Sequence, residues 1–284
     1  MMNITVLGTG IMGGGIAKVL AAQEFNVTAW NRTISHAAHL KKDSVHIEPD
    51  IRKAVSQADI IAIVVFDADS VMNVLEQASA SAPSDAIWVQ MSTIGKQGAR
   101  KVDEYAKNHG LNVIETMMMG SKDQANSSQL VLMGGGSQTL FDRANPFTKA
   151  VSKKLVFCGP HLGDGTAVKL ACNLWLGSIT VAASQSLKVL EQQHVDPRLF
   201  LNVIDGGTTD SPYAHLKGAK ILAHDYSAQF EVSALEKDLG LMKDVMQDIG
   251  FRNDLLTTVL GLYTESDKNG HTHDDVSAVA TTFD

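Results

Sequence analysis

Three closely spaced glycines after a short apolar run restrict the folds open to this chain more than any other feature. Gly8, Gly10 and Gly13 follow the strand-like segment Ile4 to Leu7 and open a helical pattern from Ile11 to Ala22. In such a strand–turn–helix unit the first glycine permits a tight turn, the second lets a pyrophosphate approach the backbone, and the third lets helix and strand pack closely. The spacing therefore predicts a dinucleotide-binding βαβ unit.

The N-terminus of this first helix is the predicted phosphate site. Its backbone N–H groups have no partners within the helix and carry a partial positive charge, and both properties favour an anion. The alternative is a glycine-rich turn in an unrelated sheet protein, which the position between a strand and a helix disfavours. The residues of the turn predicted to contact the cofactor are Gly8, Gly10, Ile11, Met12 and Gly13.

The end of the second strand-like segment, Asn26 to Trp30, predicts which dinucleotide binds. Sites for NAD usually carry an acidic residue there, which accepts hydrogen bonds from the ribose hydroxyls. This chain instead has Asn31, Arg32 and Thr33. An arginine pairs with a 2′-phosphate, and the neighbouring amide and hydroxyl can hydrogen-bond it. We therefore expect NADP in preference to NAD; the alternative is that Arg32 is a solvated turn residue.

Strand-like and helix-like segments alternate through the first half, as in a parallel sheet with helices on both faces. After Gly159-Pro160, residues 163–192 contain no proline and carry apolar residues at spacings of three and four, which predicts one long helix. We expect a Rossmann-type, doubly wound α/β domain over residues 1–163 and an all-α domain over residues 164–284. The later predicted strands are Ile60 to Phe66, Ala86 to Met91, Leu111 to Thr116, Leu130 to Met133 and Leu155 to Phe157.

Composition excludes several classes of protein. A net charge of −7 argues against sequence-independent affinity for nucleic acid. The longest unbroken apolar run, Ile60 to Phe66, is far shorter than the roughly 20 residues of a membrane span, and no signal core opens the chain. Two cysteines are too few for a disulfide framework, so we expect a cytoplasmic protein. Residues 1–163 hold 15 basic and 14 acidic side chains, so the acidic excess lies in the second half.

Later motifs give the chain its family resemblance. Met91-Ser92-Thr93 follows a strand, Gly163-Asp-Gly165 leads through Lys169 to Asn173, Phe230 to Asp238 includes Lys237, and Gly270 to Ser277 lies near the C-terminus. In this order, together with the glycine turn, they make nearly the whole chain similar to the β-hydroxyacid dehydrogenases. That family includes 3-hydroxyisobutyrate, tartronate semialdehyde and succinic semialdehyde/glyoxylate enzymes.

The resemblance implies roles for several of these residues. Lys169 resembles the lysine that exchanges a proton with the substrate oxygen while a hydride moves between the carbinol carbon and the nicotinamide. Thr93 and Lys237 resemble cofactor contacts, and Asn173 resembles the amide that positions the substrate. Without the resemblance, Lys169 reads as a surface lysine of an amphipathic helix and Lys237 as half of a surface charge pair with Asp238.

One segment departs from the family pattern. The family's substrate loop usually reads Asp-Ala-Pro-Val-Ser-Gly-Gly, where this chain has Glu115 followed by Thr-Met-Met-Met-Gly-Ser. Met119 replaces the serine that holds the substrate carboxylate, and it cannot donate a hydrogen bond. Either Ser121 or backbone N–H groups compensate, or the substrate is less polar. The predicted substrate contacts are Ser92, Met119, Gly120, Ser121 and Asn173.

Two other functions remain as alternatives. One is an imine reductase-like enzyme that acts on a less polar substrate, although imine reductases usually lack the lysine that this chain retains at Lys169. The other is a non-catalytic NADP-binding protein. We predict a homodimer or a higher homo-oligomer, and no metal site. His271 and His273 read as solvated loop residues with Asp275 or Ser277 capping a last helix, and Gly134 to Gly136 as the end of a strand.

Overall fold

The computed structural model describes residues 1–284, whose contacts divide them into two compact units, Met1–Lys169 and Leu170–Asp284. The first unit contains the strands β1 (Asn3–Leu7), β2 (Asn26–Trp30), β3 (His46–Ile47), β4 (Ile60–Ile63), β5 (Ile87–Gln90), β6 (Asn112–Met119), β7 (Leu130–Gly135) and β8 (Ser152–Gly159). Its helices are α1 (Ile11–Ala21), α2 (Ile51–Val55), α3 (Ala68–Ala78), α4 (Gly95–His109), α5 (Lys122–Ala125) and α6 (Gln138–Val151).

The eight strands form one sheet in the order β3-β2-β1-β4-β5-β6-β7-β8. All neighbouring pairs are parallel except β6 with β7. The chain crosses from β1 to β2 on one side and returns through β4 on the other, so the strand order reverses beside β1. This reversal is the feature at which doubly wound sheets bind their ligands.

Apolar side chains cover both faces of this sheet. Along β1, Ile4 and Val6 belong to a core with α1 and α6, whereas Leu7 belongs to a second core with α3 and α4. Strands buried on both faces read as continuous apolar runs, and β4 is such a run. The predicted Rossmann-type α/β domain is therefore confirmed.

The strand β6 runs further than the sequence indicated, and β7 and β8 are also longer than predicted. The prediction ended the strand at Thr116, but β6 continues to Met119 because β7 pairs with it in the antiparallel direction, and Met119 lies opposite Val131. A parallel-strand pattern gives no sign of an added antiparallel neighbour. The methionines are therefore strand residues, and Met117 is fully buried.

The second unit is helical, as predicted, apart from one isolated bridge between Glu231 and Asp275. Its helices are α7 (Asp164–Gln192, whose first turns belong to the first unit), α8 (Arg198–Ile204), α9 (Pro212–Leu222), α10 (Val232–Asp248) and α11 (Asp254–Ser266), followed by a π turn (Asp267–His271) and a 3₁₀ segment (Val276–Phe283). The boundary between the two units follows Lys169, a few residues after the predicted boundary at 163. Thr166 hydrogen-bonds to Glu115 of β6, which ties the start of α7 to the first unit.

Helix α7 is long and strongly apolar, although it contains no long unbroken apolar run. By length and composition it could cross a membrane, as could the core helix of many globular proteins, and half of its most apolar window is buried inside the protein. Serine, glycine and glutamine interrupt its apolar residues, so the sequence shows no continuous apolar run of membrane-spanning length.

A buried ion pair holds the second unit together. Lys217 Nζ lies 2.8 Å from Asp275 Oδ1 and 2.9 Å from Oδ2, and both side chains are inaccessible. Asp275 also accepts the N–H of Ser277, so it is the predicted cap of the last 3₁₀ segment. Burial alone would raise the pKa of Asp275, but the Lys217 charge and these hydrogen bonds hold it below its usual value. Asp275 therefore both caps the 3₁₀ segment and, through Lys217, holds α9 in place.

Candidate functional site

The glycine turn between β1 and α1 leaves no room for side chains at two of its positions. Gly8 has a φ of +104°, and a Cβ there would lie 2.1 Å from the carbonyl oxygen of Val64. A Cβ on Gly13 would lie 2.0 Å from the carbonyl oxygen of Gly8. Backbone therefore packs directly on backbone, which fixes the direction in which α1 leaves the sheet.

The middle glycine has the opposite surroundings. A Cβ on Gly10 would meet no atom within 4 Å, so this position faces open space. Gly10 is also the N-cap of α1, no side chain caps the helix, and its first turn has no acidic residue. Uncapped N–H groups beside an open glycine fit the pyrophosphate of a dinucleotide. The three glycines thus have the surroundings that the motif requires, and their contact with a cofactor stays a prediction.

Asn31 braces this turn against the end of β2. Its Oδ1 accepts the N–H of Thr9 at 3.2 Å, and its Nδ2 donates to the carbonyl oxygen of Thr33 at 2.9 Å. The prediction gave Asn31 a direct hydrogen bond to the 2′-phosphate. The observed bonds favour an indirect role, because the amide holds the segment that carries Arg32, whose side chain is exposed.

The Met91-Ser92-Thr93 segment lies at the carboxyl end of β5. Ser92 is buried, and its hydroxyl accepts the N–H of Val65 at 2.9 Å and lies 3.4 Å from the carbonyl oxygen of Ile63. The hydroxyl thereby fixes the backbone of the segment that follows β4. This strand is the neighbour of β1 in the sheet. Its assignment as a substrate contact stays a prediction, and its bonds favour an indirect contribution. Thr93 is half-buried beside it.

The carboxyl end of β6 carries the segment that departs from the family pattern. Met119 is half-buried, and Gly120 has a φ of +133°, so the chain turns sharply there. The N–H and the hydroxyl of Ser121 both donate to Oε1 of Gln124, at 2.9 and 2.7 Å, in a capping box that starts α5. These donors, one of the alternatives for replacing the missing serine, are therefore engaged by a neighbouring side chain.

Glu115 is a site residue whose contacts sequence reasoning did not anticipate. It is 1% exposed, its Oε1 accepts the N–H of Thr166 at 3.0 Å, and its Oε2 accepts the Thr166 hydroxyl at 2.8 Å. Burial raises the pKa of this carboxyl, and the hydrogen bonds from Thr166 oppose the rise. The available sequence signal was an acidic residue within a largely apolar strand.

Lys169 and Asn173 lie one turn apart on the buried side of α7. Lys169 is 8% exposed and Asn173 is fully buried. The predicted surface-lysine alternative for Lys169 is therefore wrong. The i, i+4 spacing places the two side chains on one face of the helix, about 6 Å apart along its axis.

Asp238 of α10 fixes the Asn173 amide. Its Oδ2 accepts Nδ2 of Asn173 at 2.6 Å, and its Oδ1 lies 2.8 Å from Nζ of Lys237. The charge pair of Lys237 with Asp238 exists, but Asp238 is buried rather than on the surface. With Nδ2 committed, Oδ1 of Asn173 is a buried acceptor that makes no hydrogen bond within the protein.

The comparisons with known proteins cover both halves of the chain. A family model of the NAD binding domain of 6-phosphogluconate dehydrogenase matches residues 3–159. A second model, described as NAD-binding of NADP-dependent 3-hydroxyisobutyrate dehydrogenase, matches residues 163–283. Together these matches span nearly the whole sequence.

Individual relatives agree with the family models. The chain is 25% identical over 281 residues to glyoxylate/succinic semialdehyde reductase 2 of Arabidopsis thaliana, covering 98% of this chain and 78% of that protein. The structure of Mycobacterium tuberculosis 3-hydroxyisobutyrate dehydrogenase with L-serine superposes with a TM-score of 0.90 at 24% identity over 99% of both chains. An imine reductase from Myxococcus stipitatus in complex with NADP⁺ superposes with a TM-score of 0.63 at 21% identity over 99% of both chains.

The glycine turn predicts different outcomes for two alanine substitutions. Gly10→Ala should cost no more than about 1 kcal/mol of stability, because its methyl group meets open space, but should weaken dinucleotide binding at least tenfold. Gly13→Ala should destabilise the fold by about 1–3 kcal/mol through its clash with Gly8. Urea unfolding and fluorescence titration with NADPH measure the two effects. Normal NADPH binding by a folded Gly10→Ala protein would contradict the assignment.

Proposed function

The chain belongs to the β-hydroxyacid dehydrogenase family and is an NAD(P)-dependent oxidoreductase acting on CH–OH groups; from that premise we propose that it transfers a hydride between NADP(H) and a small 3-hydroxy acid or semialdehyde acid. The observation that carries the proposal is Lys169, a buried lysine in the second turn of α7 with the anchored amide of Asn173 one turn further on. A lysine held in this way suits proton exchange with a substrate oxygen.

The residues of the chain have distinct tasks in the proposed reaction. A bound nicotinamide dinucleotide would supply the hydride acceptor for oxidation of the carbinol carbon and the hydride donor for reduction of the carbonyl carbon. The glycine turn holds its phosphates. Neutral Lys169 takes the hydroxyl proton as the alcohol becomes a carbonyl, and its ammonium form returns that proton in reduction. The free Oδ1 of Asn173 accepts a hydrogen bond from the substrate hydroxyl or from the lysine.

Replacement of Lys169 tests the proton-transfer role. Lys169→Ala should lower kcat at least 100-fold while NADPH still binds, because general acid–base catalysis contributes about 10²–10⁴-fold. The assay uses short semialdehyde acids and cyclic imines with NADPH and NADH. A loss within about twofold, or roughly 0.4 kcal/mol of barrier, would contradict the mechanism. A protein that binds NADPH but turns over no compound would instead support the non-catalytic alternative.

The preference for NADP is proposed from the end of β2. No acidic side chain follows Trp30, the Asn31 brace holds the turn, and the exposed Arg32 is available to a 2′-phosphate. A guanidinium paired with a phosphate forms strong, charge-assisted hydrogen bonds. The alternative, an NAD enzyme with a solvated Arg32, predicts equal use of both cofactors.

Arg32→Ala should separate the two cofactors. We expect KM for NADPH to rise at least tenfold, as hydrogen bonds to charged groups contribute about 1.5–3 kcal/mol, and KM for NADH to change less than twofold. Arg52→Ala removes another exposed arginine in the same unit and serves as the control. Equal losses for NADPH and NADH in the Arg32 variant would refute the 2′-phosphate contact.

The methionine segment favours imine reduction as a second candidate. Met119 offers no hydrogen bond to a substrate carboxylate, Ser121 donates to Gln124, and an imine reductase has a similar fold. A soft apolar wall suits a substrate without a carboxylate. The same substrate panel decides between the candidates, since turnover of cyclic imines and not of semialdehyde acids would favour this one.

We also propose that the protein is a homodimer that pairs through α7. The exposed residues of this helix carry no charge: Ala167, Val168, Ala171, Trp175, Ala182, Gln185, Val189 and Gln192. Solvent-facing helix surfaces ordinarily carry charged side chains. Four of the exposed positions also pair about the bond between Ser178 and Ile179, because an antiparallel second copy would place Trp175 opposite Ala182 and Val168 opposite Val189.

Substitution at the centre of this face tests the dimer. Trp175 is 68% exposed, so Trp175→Glu should leave the isolated chain folded while a charge beside the partner's helix prevents pairing. Light scattering after gel filtration should find a dimer for the unmodified protein and a monomer for the variant. Phe251→Glu, at an equally exposed aromatic outside α7, is the control and should remain dimeric. A monomeric unmodified protein would refute the proposal.

A further inference from the structure

The carboxylate of Glu115 lies in a pocket formed by backbone. Thr166 donates both its N–H and its hydroxyl to this carboxyl, and the neighbouring backbone N–H groups of Gly163 and Gly165 oppose the rise in its pKa that burial causes. These donors come from the turn that starts α7. A carboxylate that accepts the first N–H groups of a helix satisfies donors that the helix itself cannot satisfy and complements its positive end.

Two glycines make room for this carboxylate. A Cβ on Gly135 would lie 2.7 Å from Oε1 of Glu115, and a Cβ on Gly165 would lie 3.1 Å from Oε1 and 2.5 Å from the carbonyl oxygen of Met133. Gly135 belongs to the glycine run that the sequence suggested merely ends a strand. Gly165 belongs to the motif that leads through Lys169 to Asn173. Both glycines leave space for the carboxylate of Glu115.

The two segments joined here carry different parts of the proposed site. From Glu115, β6 continues to Met119 and Gly120, where the family holds its substrate. From Thr166, α7 continues to Lys169, three residues further along the same helical face. Side-chain hydrogen bonds at one buried carboxylate therefore set the position of the start of the lysine-bearing helix relative to the strand that leads into the substrate loop.

We propose that Glu115 is a positioning residue that acts through Thr166 to set the placement and the environment of Lys169. The inference rests on the proposed function, in which Lys169 exchanges the proton. Catalysis depends on placing reacting groups within fractions of an ångström, so a shift of the first turn of α7 changes the rate without removing any reacting group. A cap that only stabilised the helix would affect unfolding and leave Lys169 unaltered.

Four variants separate positioning from stability. Thr166→Val removes the hydroxyl and keeps the shape, Thr166→Ser restores the hydroxyl, Glu115→Gln keeps the volume without the charge, and Glu115→Ala removes the anchor. Thr148→Val is the matched control, because Thr148 is equally buried in the same unit and its hydroxyl bonds only to the backbone of its own helix, at Asn145. If Glu115→Ala fails to fold, the isosteric variants still decide.

The primary measurement does not require turnover. Competitive labelling with acetic anhydride across a pH series, read by peptide mass spectrometry, reports the reactivity and titration midpoint of Lys169, with the exposed Lys101 as internal reference. We expect Thr166→Val and Glu115→Gln to change Lys169 labelling at least threefold or to shift its midpoint. Thr166→Ser and Thr148→Val should match the unmodified protein. Unchanged labelling in both Glu115→Gln and Thr166→Val would overturn the proposal.

Steady-state kinetics on the proposed reaction add a second measurement. Thr166→Val should lower kcat at least tenfold with the dissociation constant for NADPH within twofold, and Thr166→Ser should recover most of kcat. Lys169→Ala is measured alongside. If it retains turnover, the proposed function fails; if it is inactive while the Thr166 and Glu115 variants behave normally, only the positioning role fails.

Discussion

Direct contact between backbone segments at the first βα turn is the constraint on which the N-terminal unit depends. Gly8 meets the carbonyl oxygen of Val64 and Gly13 meets that of Gly8, at distances that exclude any side chain. This contact brings the N-terminus of α1 to the carboxyl edge of the sheet, beside the reversal of strand order between β1 and β4. The open glycine and the uncapped helix follow from that placement, and together with the hydrogen bonds of Asn31 they form the proposed dinucleotide site.

Buried polar side chains have a comparable role along α7. Glu115 accepts hydrogen bonds at its start, Asp238 holds Asn173, and Lys188 near its end pairs with Glu191 and Asp284. A buried carboxylate or ammonium is costly without partners, so each such group strongly favours one arrangement of its neighbours. The exposed face of the same helix has no charges and therefore tolerates close approach by another apolar surface.

Elements with a strong local signal could be predicted from the sequence. The turn from Gly8 to Gly13, the alternation of strands and helices and the long helix all occur where their spacing indicated, although several strands begin or end at other residues. The prediction was incomplete where distant partners decide the structure. The extension of β6 to Met119 depends on antiparallel pairing with β7, and the engagement of Ser121 depends on Gln124 in the helix that follows. Nothing in the local pattern of β6 specifies either neighbour.

The sequence by itself determined the family, the doubly wound sheet, the helical second half and the residues proposed for chemistry, because glycine spacing and apolar periodicity are local properties of the chain. Only the tertiary structure decided that Lys169 is buried, that Asp238 orients Asn173, and that Gly135 and Gly165 make room for the carboxylate of Glu115. The physical reason is that burial and hydrogen-bond partnership belong to pairs of residues far apart in the chain. Glu115 and Thr166 are separated by 51 positions, and no pattern within either segment records that they meet.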